Sequence, residues 1–176
     1  MQRGQIALGA GTLILVVALY FAGNTGAKKK NASNTDTHAH TESISFEQYE
    51  QQQTEKLAAA ERTQIASIKD SIKATQPTDT ANLKKLYLHL SDFWKNLNQP
   101  AISAFYYYQY AAKDGGKSTL ENAGDNFVEV YKNGTDSIIS NNLITFALRS
   151  YEEGVQKDTG DINLQIKLAD AYVQGS

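Results

Sequence analysis

Tyr87-Leu88-His89-Leu90-Ser91-Asp92-Phe93-Trp94 has a spacing that returns twice in the last ninety residues. It runs large residue, two residues, Leu or Ala, a small residue, two residues, aromatic. The second copy is Leu120-x2-Ala123-Gly124-x2-Phe127 and the third is Gln165-x2-Leu168-Ala169-x2-Tyr172. The first two are each followed by another pattern, Ala104-x3-Tyr108-x2-Ala111 and Ala147-x3-Tyr151-x2-Gly154. Small residues let two helices approach closely and large ones fill the space between them, so each unit buries its apolar face only by stacking on a neighbour. The spacing predicts an all-α chain built of helical hairpins.

Around the first copy, Leu83, Leu86, Leu90, Phe93 and Leu97 recur at three and four residues, a helical stripe that Tyr87 and Trp94 broaden. Asn98-Gln99-Pro100 makes the turn, with Pro100 suited to the first position of a helix, where its missing N–H costs nothing. The next helix, Ala101 to Ala112, carries Phe105, Tyr106, Tyr107, Tyr108 and Tyr110, too many aromatics for one core face; seams between units are expected to take them. Asp114-Gly115-Gly116 ends it, and Ser118-x-x-Glu121 predicts a capping box at the following start. Leu120, Ala123, Phe127 and Tyr131 form the next buried stripe, which Asn133-Gly134 closes. Asp136 is the expected cap of a long helix marked by Ile139, Leu143, Ala147, Tyr151 and Val155.

These patterns resemble the tetratricopeptide repeat, in which W-x2-L-G-x2-Y lies on one helix and A-x3-F on the next. The resemblance covers residues 83–176, with units at about 81–114, 118–158 and a half repeat at 161–176. The first-helix patterns lie 33 and then 45 residues apart, so the second unit carries an extension of about eleven residues over the usual 34. The chain stops at Ser176, directly after the first helix of a third unit, and the expectation is the N-terminal part of a longer array with Leu168, Ala169 and Tyr172 uncovered. The resemblance implies a groove lined by the first helices. Its candidate residues are Lys85, His89, Asp92, Lys95 and Asn96, then Glu121, Asn122, Asp125 and Glu129, then Asn163, Lys167 and Asp170. Glu121, Asp125 and Glu129 recur every four residues as an acidic ridge, suited to a basic or mixed-charge peptide. The lysine with which some family members clamp a C-terminal carboxylate is replaced here by Leu88.

Outside the repeats, Ile6 to Gly23 reads IALGAGTLILVVALYFAG, eighteen residues without a charge. As a helix it rises about 27 Å at ~1.5 Å per residue, enough for a hydrocarbon core of ~30 Å. The segment 1–23 is therefore expected to be a single transmembrane anchor. A cleaved signal is disfavoured because Lys28, Lys29 and Lys30 directly follow the best cleavage site, and a lipoprotein signal is excluded by the absence of cysteine. The lysines favour the cytoplasmic side of a bacterial inner membrane for the repeats. The polar linker suits a periplasmic stalk equally well. Residues 24–43 hold no aromatic or branched aliphatic residue and are expected to be a disordered tether. Residues 44–77, with a capping box at Ser45 and Gln48 and a stop at Gln76-Pro77, are read as one broken or two short lead-in helices that shield the exposed end of the first unit.

Of the 17 basic residues four flank the apolar run, so residues 31–176 hold 13 basic against 19 acidic, a net of −6 that repels nucleic acid. No cysteine, glycine-rich phosphate loop, HExxH or GxSxG motif is present. His38 and His40 are two ligands without a frame, and His89 stands alone, so neither a metal nor another cofactor is expected. The expected function is a membrane-anchored scaffold that binds a segment of another protein, without catalysis of its own. The alternative is a targeting arm for an envelope enzyme whose catalytic domain lies beyond Ser176.

Overall fold

The computed structural model describes residues 44–134 and 137–175. The expected anchor, the tether with its lysines and histidines, and the Asp136 cap lie outside them. The described residues are all-helical and repeat-like, with seven α-helices: α1 (Phe46–Glu55), α2 (Ala59–Ala74), α3 (Thr80–Asn96), α4 (Pro100–Asp114), α5 (Lys117–Lys132), α6 (Ser140–Lys157) and α7 (Ile162–Gln174). A short 3-10 turn, Ser137–Ile139, leads into α6. Among the described residues no helix is long and apolar enough to cross a membrane.

Helix ends follow from local chemistry. Ser45 Oγ accepts from Gln48 N at 3.2 Å and Gln48 Oε1 accepts from Ser45 N at 2.9 Å, a full capping box. Asp79 and Asp161 cap α3 and α7 through the backbone N–H groups of Asn82 and Leu164. Pro100 is the first residue of α4, as its fixed φ favours. Asn98 (φ 56°) turns the chain between α3 and α4, and Gly115 (φ 70°) ends α4 in the left-handed conformation that glycine adopts without strain.

The expected capping box at Ser118 does not form. Gly116 leaves the left-handed turn in an extended conformation, so α5 already starts at Lys117 and Ser118 lies inside the first turn. Thr119 Oγ1 bonds Asp114 Oδ2 at 2.9 Å instead, and Glu121 turns toward α7. Part of the extension in the second unit is taken up by the 3-10 turn and by α6, which has 18 residues against 15 in α4.

Helices pack on their chain neighbours, α3 with α4, α4 with α5, α5 with α6 and α6 with α7. Leu90, Trp94, Ile102, Leu120, Phe127, Leu143 and Leu164 are fully enclosed between them. The aromatic run on α4 fans around its helix. Phe105 and Tyr106 meet α1, Tyr108 meets Phe127 and Phe146, and Tyr107 pairs with Tyr110.

The lead-in region is two helices, placed differently from the expectation. α2 packs on α3, but α1 crosses to the second helices of both units. Phe46 stacks on Phe105 at 4.0 Å and meets Phe146 edge-on at 6.0 Å. The buried Glu50 carboxylate accepts from Tyr106 Oη at 2.7 Å and from Lys69 Nζ at 2.9 Å. Asn142 Nδ2 donates to the carbonyl of Ile44. Aromatic surface on α4 and α6, left over once the hairpins close, draws α1 across the seam.

Candidate peptide-docking groove

A groove of about 500 Å³ opens between α3, α4 and α5, within the size range of ligand sites. α3 and α5 are held apart there by α4. A small residue on each governs how closely it meets the helix that follows. Ser91 Oγ donates to the Ser103 carbonyl at 2.9 Å, drawing α3 onto α4. Gly124, at the matching place on α5, carries the Tyr151 ring directly on its Cα; a Cβ there would fall well inside contact distance.

Five of the expected residues line this groove together: Asp92 and Lys95 from α3, Asn122, Asp125 and Glu129 from α5. Lys85, His89, Asn96 and Asp170 are exposed but lie outside it. Glu121 and Lys167 stand beside it in an ion-pair bank, with Lys167 Nζ 2.7 Å from Glu121 Oε1 and 2.7 Å from Asp125 Oδ2. Asp125 Oδ1 also accepts from Tyr151 Oη at 2.8 Å. The ridge of like charges is thus relieved at two of its three members by a lysine from another helix.

The second helix contributes what the sequence reading left out. Tyr107 and Ser103 of α4 line one side, and Leu88, Asn126 and Val130 are among the further lining residues. Tyr107 was legible only as one of five aromatics. Its phenol is pushed above its ordinary pKa by burial, against a hydrogen bond with Asn122 that pulls the other way. It stays a neutral donor and acceptor at physiological pH.

The side chains of Asp92, Lys95 and Glu129 are exposed and make no ion pair or hydrogen bond among the described residues. Elsewhere the molecule pairs its charges between helices, as in Lys84–Asp114, Lys117–Asp158 and Lys117–Asp161. The groove therefore presents two unengaged carboxylates and one ammonium above a floor of amides and hydroxyls. Among the described residues no group of three or more His, Cys, Asp or Glu is placed to hold a metal ion. Comparison with family models, with curated proteins and with solved structures finds no match to this chain.

Proposed function

We propose that this chain is a membrane-anchored adaptor of the tetratricopeptide-repeat kind, which holds an extended segment of another protein in the groove between α3, α4 and α5. The observation that carries the reading is the set of unengaged charges Asp92, Glu129 and Lys95 around a polar floor. Such a surface gains more from a charged peptide than from a flat apolar partner, because complementary charges steer encounter and fix register. Asp92 and Glu129 receive lysine or arginine side chains, Lys95 a carboxylate, and the Asn122 and Asn126 amides bond the peptide backbone. The repeat assignment is supported by the buried pairs Leu90 with Trp94 and Ala123 with Phe127, each facing the helix that follows. The uncharged run from Ile6 to Gly23 serves as the single-pass anchor in a bacterial inner membrane, with the repeats on the cytoplasmic side that Lys28, Lys29 and Lys30 favour.

Photo-crosslinking tests the groove. A photoreactive residue at Tyr107 or Asn126 is expected to trap one defined protein in cells, and the yield should collapse in an Asp92→Lys/Glu129→Lys background. Placed at Thr145 or Gln156, exposed positions outside the groove, it should not trap that protein. Equal yields from both pairs of positions would count against the groove. The anchor is checked separately, since the full chain should resist carbonate extraction from membranes while a chain beginning at Ser43 stays in solution.

A further inference from the structure

Asn133-Gly134 is the one Asn-Gly pair in the sequence. It stands where α5 ends: Asn133 is the C-cap (φ −75°, ψ −1°), and Gly134 turns into the left-handed region at φ 63°. Both residues are exposed, and among the described residues no hydrogen-bond partner reaches the Asn133 side-chain amide. A Cβ on Gly134 would meet nothing within 4 Å, so the space around its Cα is open. The Gly134 N–H is tied to the Tyr131 carbonyl at 3.1 Å, a bond of the last turn, where helices fray. Asn133 also lines the groove, one turn after Glu129.

The other amides of the groove lack this setting. Asn122 and Asn126 lie inside α5, where the backbone N–H that follows each belongs to the helical ladder and to Ala123 or Phe127, whose Cβ crowds the nitrogen. The one Asp-Gly pair in the sequence, Asp114-Gly115, is protected in another way. Lys84 Nζ at 3.1 Å and Thr119 Oγ1 at 2.9 Å hold the Asp114 carboxylate in its ionised form, which resists attack at carbon.

We propose that Asn133 is a site of spontaneous deamidation, through which the groove acquires a further carboxylate with time. When the last turn opens, the Gly134 nitrogen gives up its proton to water and attacks Asn133 Cγ. The N–Cγ bond forms, the Cγ–Nδ2 bond breaks, and the side-chain nitrogen takes up a proton and leaves as ammonia. A five-membered cyclic imide remains. Glycine favours the closure because it has no Cβ beside the attacking nitrogen. Water then adds to either imide carbonyl: breaking the bond from nitrogen to Cγ leaves aspartate, and breaking the bond from nitrogen to the main-chain carbon leaves isoaspartate. In sum a water is consumed and an ammonia released, without oxidant or reductant. The new carboxylate stands four residues after Glu129 and at the negative end of α5, so both repel it and the last turn of α5 loosens. In the groove the same charge joins Asp92 and Glu129 opposite the ammonium of Lys95. A lysine- or arginine-rich segment is then held more tightly; that consequence rests on the docking function proposed above, whereas the conversion does not.

The test keeps the full-length chain, purified in mild detergent, in warm neutral buffer and samples it over days, each sample being digested in acid so that the remaining amides stay intact. Peptide mass mapping should show the amide-to-acid change at Asn133 many-fold faster than at Asn122 or Asn126. Two chromatographically separate products are expected, one of them a substrate for an isoaspartyl methyltransferase. Asn133→Gln, whose longer side chain does not close a five-membered ring, should stay unconverted over the same period. Conversion at Asn133 no faster than at Asn122 and Asn126 would overturn the proposal. For the groove, binding of a fluorescent oligolysine peptide is compared between Asn133→Asp and Asn133→Gln, and should be several-fold tighter in the first at low salt, with the difference shrinking as salt is raised. Equal oligolysine binding in both, beside rapid conversion at Asn133, would overturn the effect on the groove and count against the docking reading while the modification stands.

Discussion

Tyr151 sits on the Cα of Gly124 and reaches past it to Asp125, so one missing methyl group fixes how α5 and α6 meet and where the groove's acidic wall stands. Alanine has the better helix propensity by about 1 kcal/mol. Gly124→Ala should nevertheless destabilise by ~1–3 kcal/mol, the usual cost of overpacking, because the added carbon meets a ring held between two helices. A lowered denaturant midpoint at unchanged slope would show it. Trp94 tests the first unit in the opposite sense. It is fully buried, and its indole N–H has no partner among the described residues. Trp94→Ala should cost ~3–5 kcal/mol through the cavity it leaves. Trp94→Phe should cost well under half of that, because it also removes an unpartnered donor, whose burial carries a penalty of ~1–3 kcal/mol. Equal losses from both substitutions would mean that the indole nitrogen contributes to the fold.

At the scale of helices, α1 is attached by side chains more than by backbone proximity: Phe46, Tyr49, Glu50 and Gln53 turn inward from an otherwise exposed ten-residue segment. Phe46→Ala should therefore loosen α1 selectively. Amide exchange is expected to quicken across residues 46–55 while α4 and α5 keep their protection, as in local opening that leaves the main core intact. Uniform loss of protection would make α1 part of the cooperative core. The existence and ends of most helices were legible in the sequence, because periodicity marks a buried stripe and Ser45, Pro100, Gly115 and Asn133-Gly134 act on their own neighbours. The destination of α1 was not. A stripe of four residues says which side of a helix is buried and nothing about what it is buried against, and Phe146, which receives Phe46, lies outside both repeat patterns. The groove was half legible for the same reason. Lys167 answers Glu121 from 46 residues away, and Tyr107 enters from the second helix, neither of which local spacing encodes.

Over the whole molecule, ties between helices are made by tyrosines and lysines whose useful protonation state ends at alkaline pH. Burial, then the hydrogen bond to Glu153, pushes the Tyr108 phenol up from 10.0 to about 12. Burial, then Glu50, raises Tyr106, and burial, then Asp125, raises Tyr151, both well beyond the ordinary range. Burial works against the Lys167 ammonium, but its bonds to Asp125 and Glu121 outweigh that and raise it. A group whose pKa is raised by folding contributes stability in full below its unfolded value and loses it as pH climbs through the folded one. For Tyr108 that window runs from 10.0 to about 12. At the acid end the order is reversed. Lys84 holds Asp114 below its ordinary 3.8, and Lys117 does the same for Asp161, so their contribution is complete above that value and fades beneath it. Stability should thus be flat between about pH 4 and 10 so far as these groups decide it, and should fall steeply above. In an alkaline titration, tyrosinate absorbance is expected to lag behind that of free tyrosine and then to rise together with the loss of helical circular dichroism, since ionising Tyr108 breaks its tie from α4 to Glu153 on α6 and ionising Tyr151 breaks its tie from α6 to Asp125 on α5. Tyrosines that ionise near their free value while the helices persist would show that these phenols are open to solvent and that the seams between α4, α5 and α6 are looser than the packing of Phe127 and Phe146 implies.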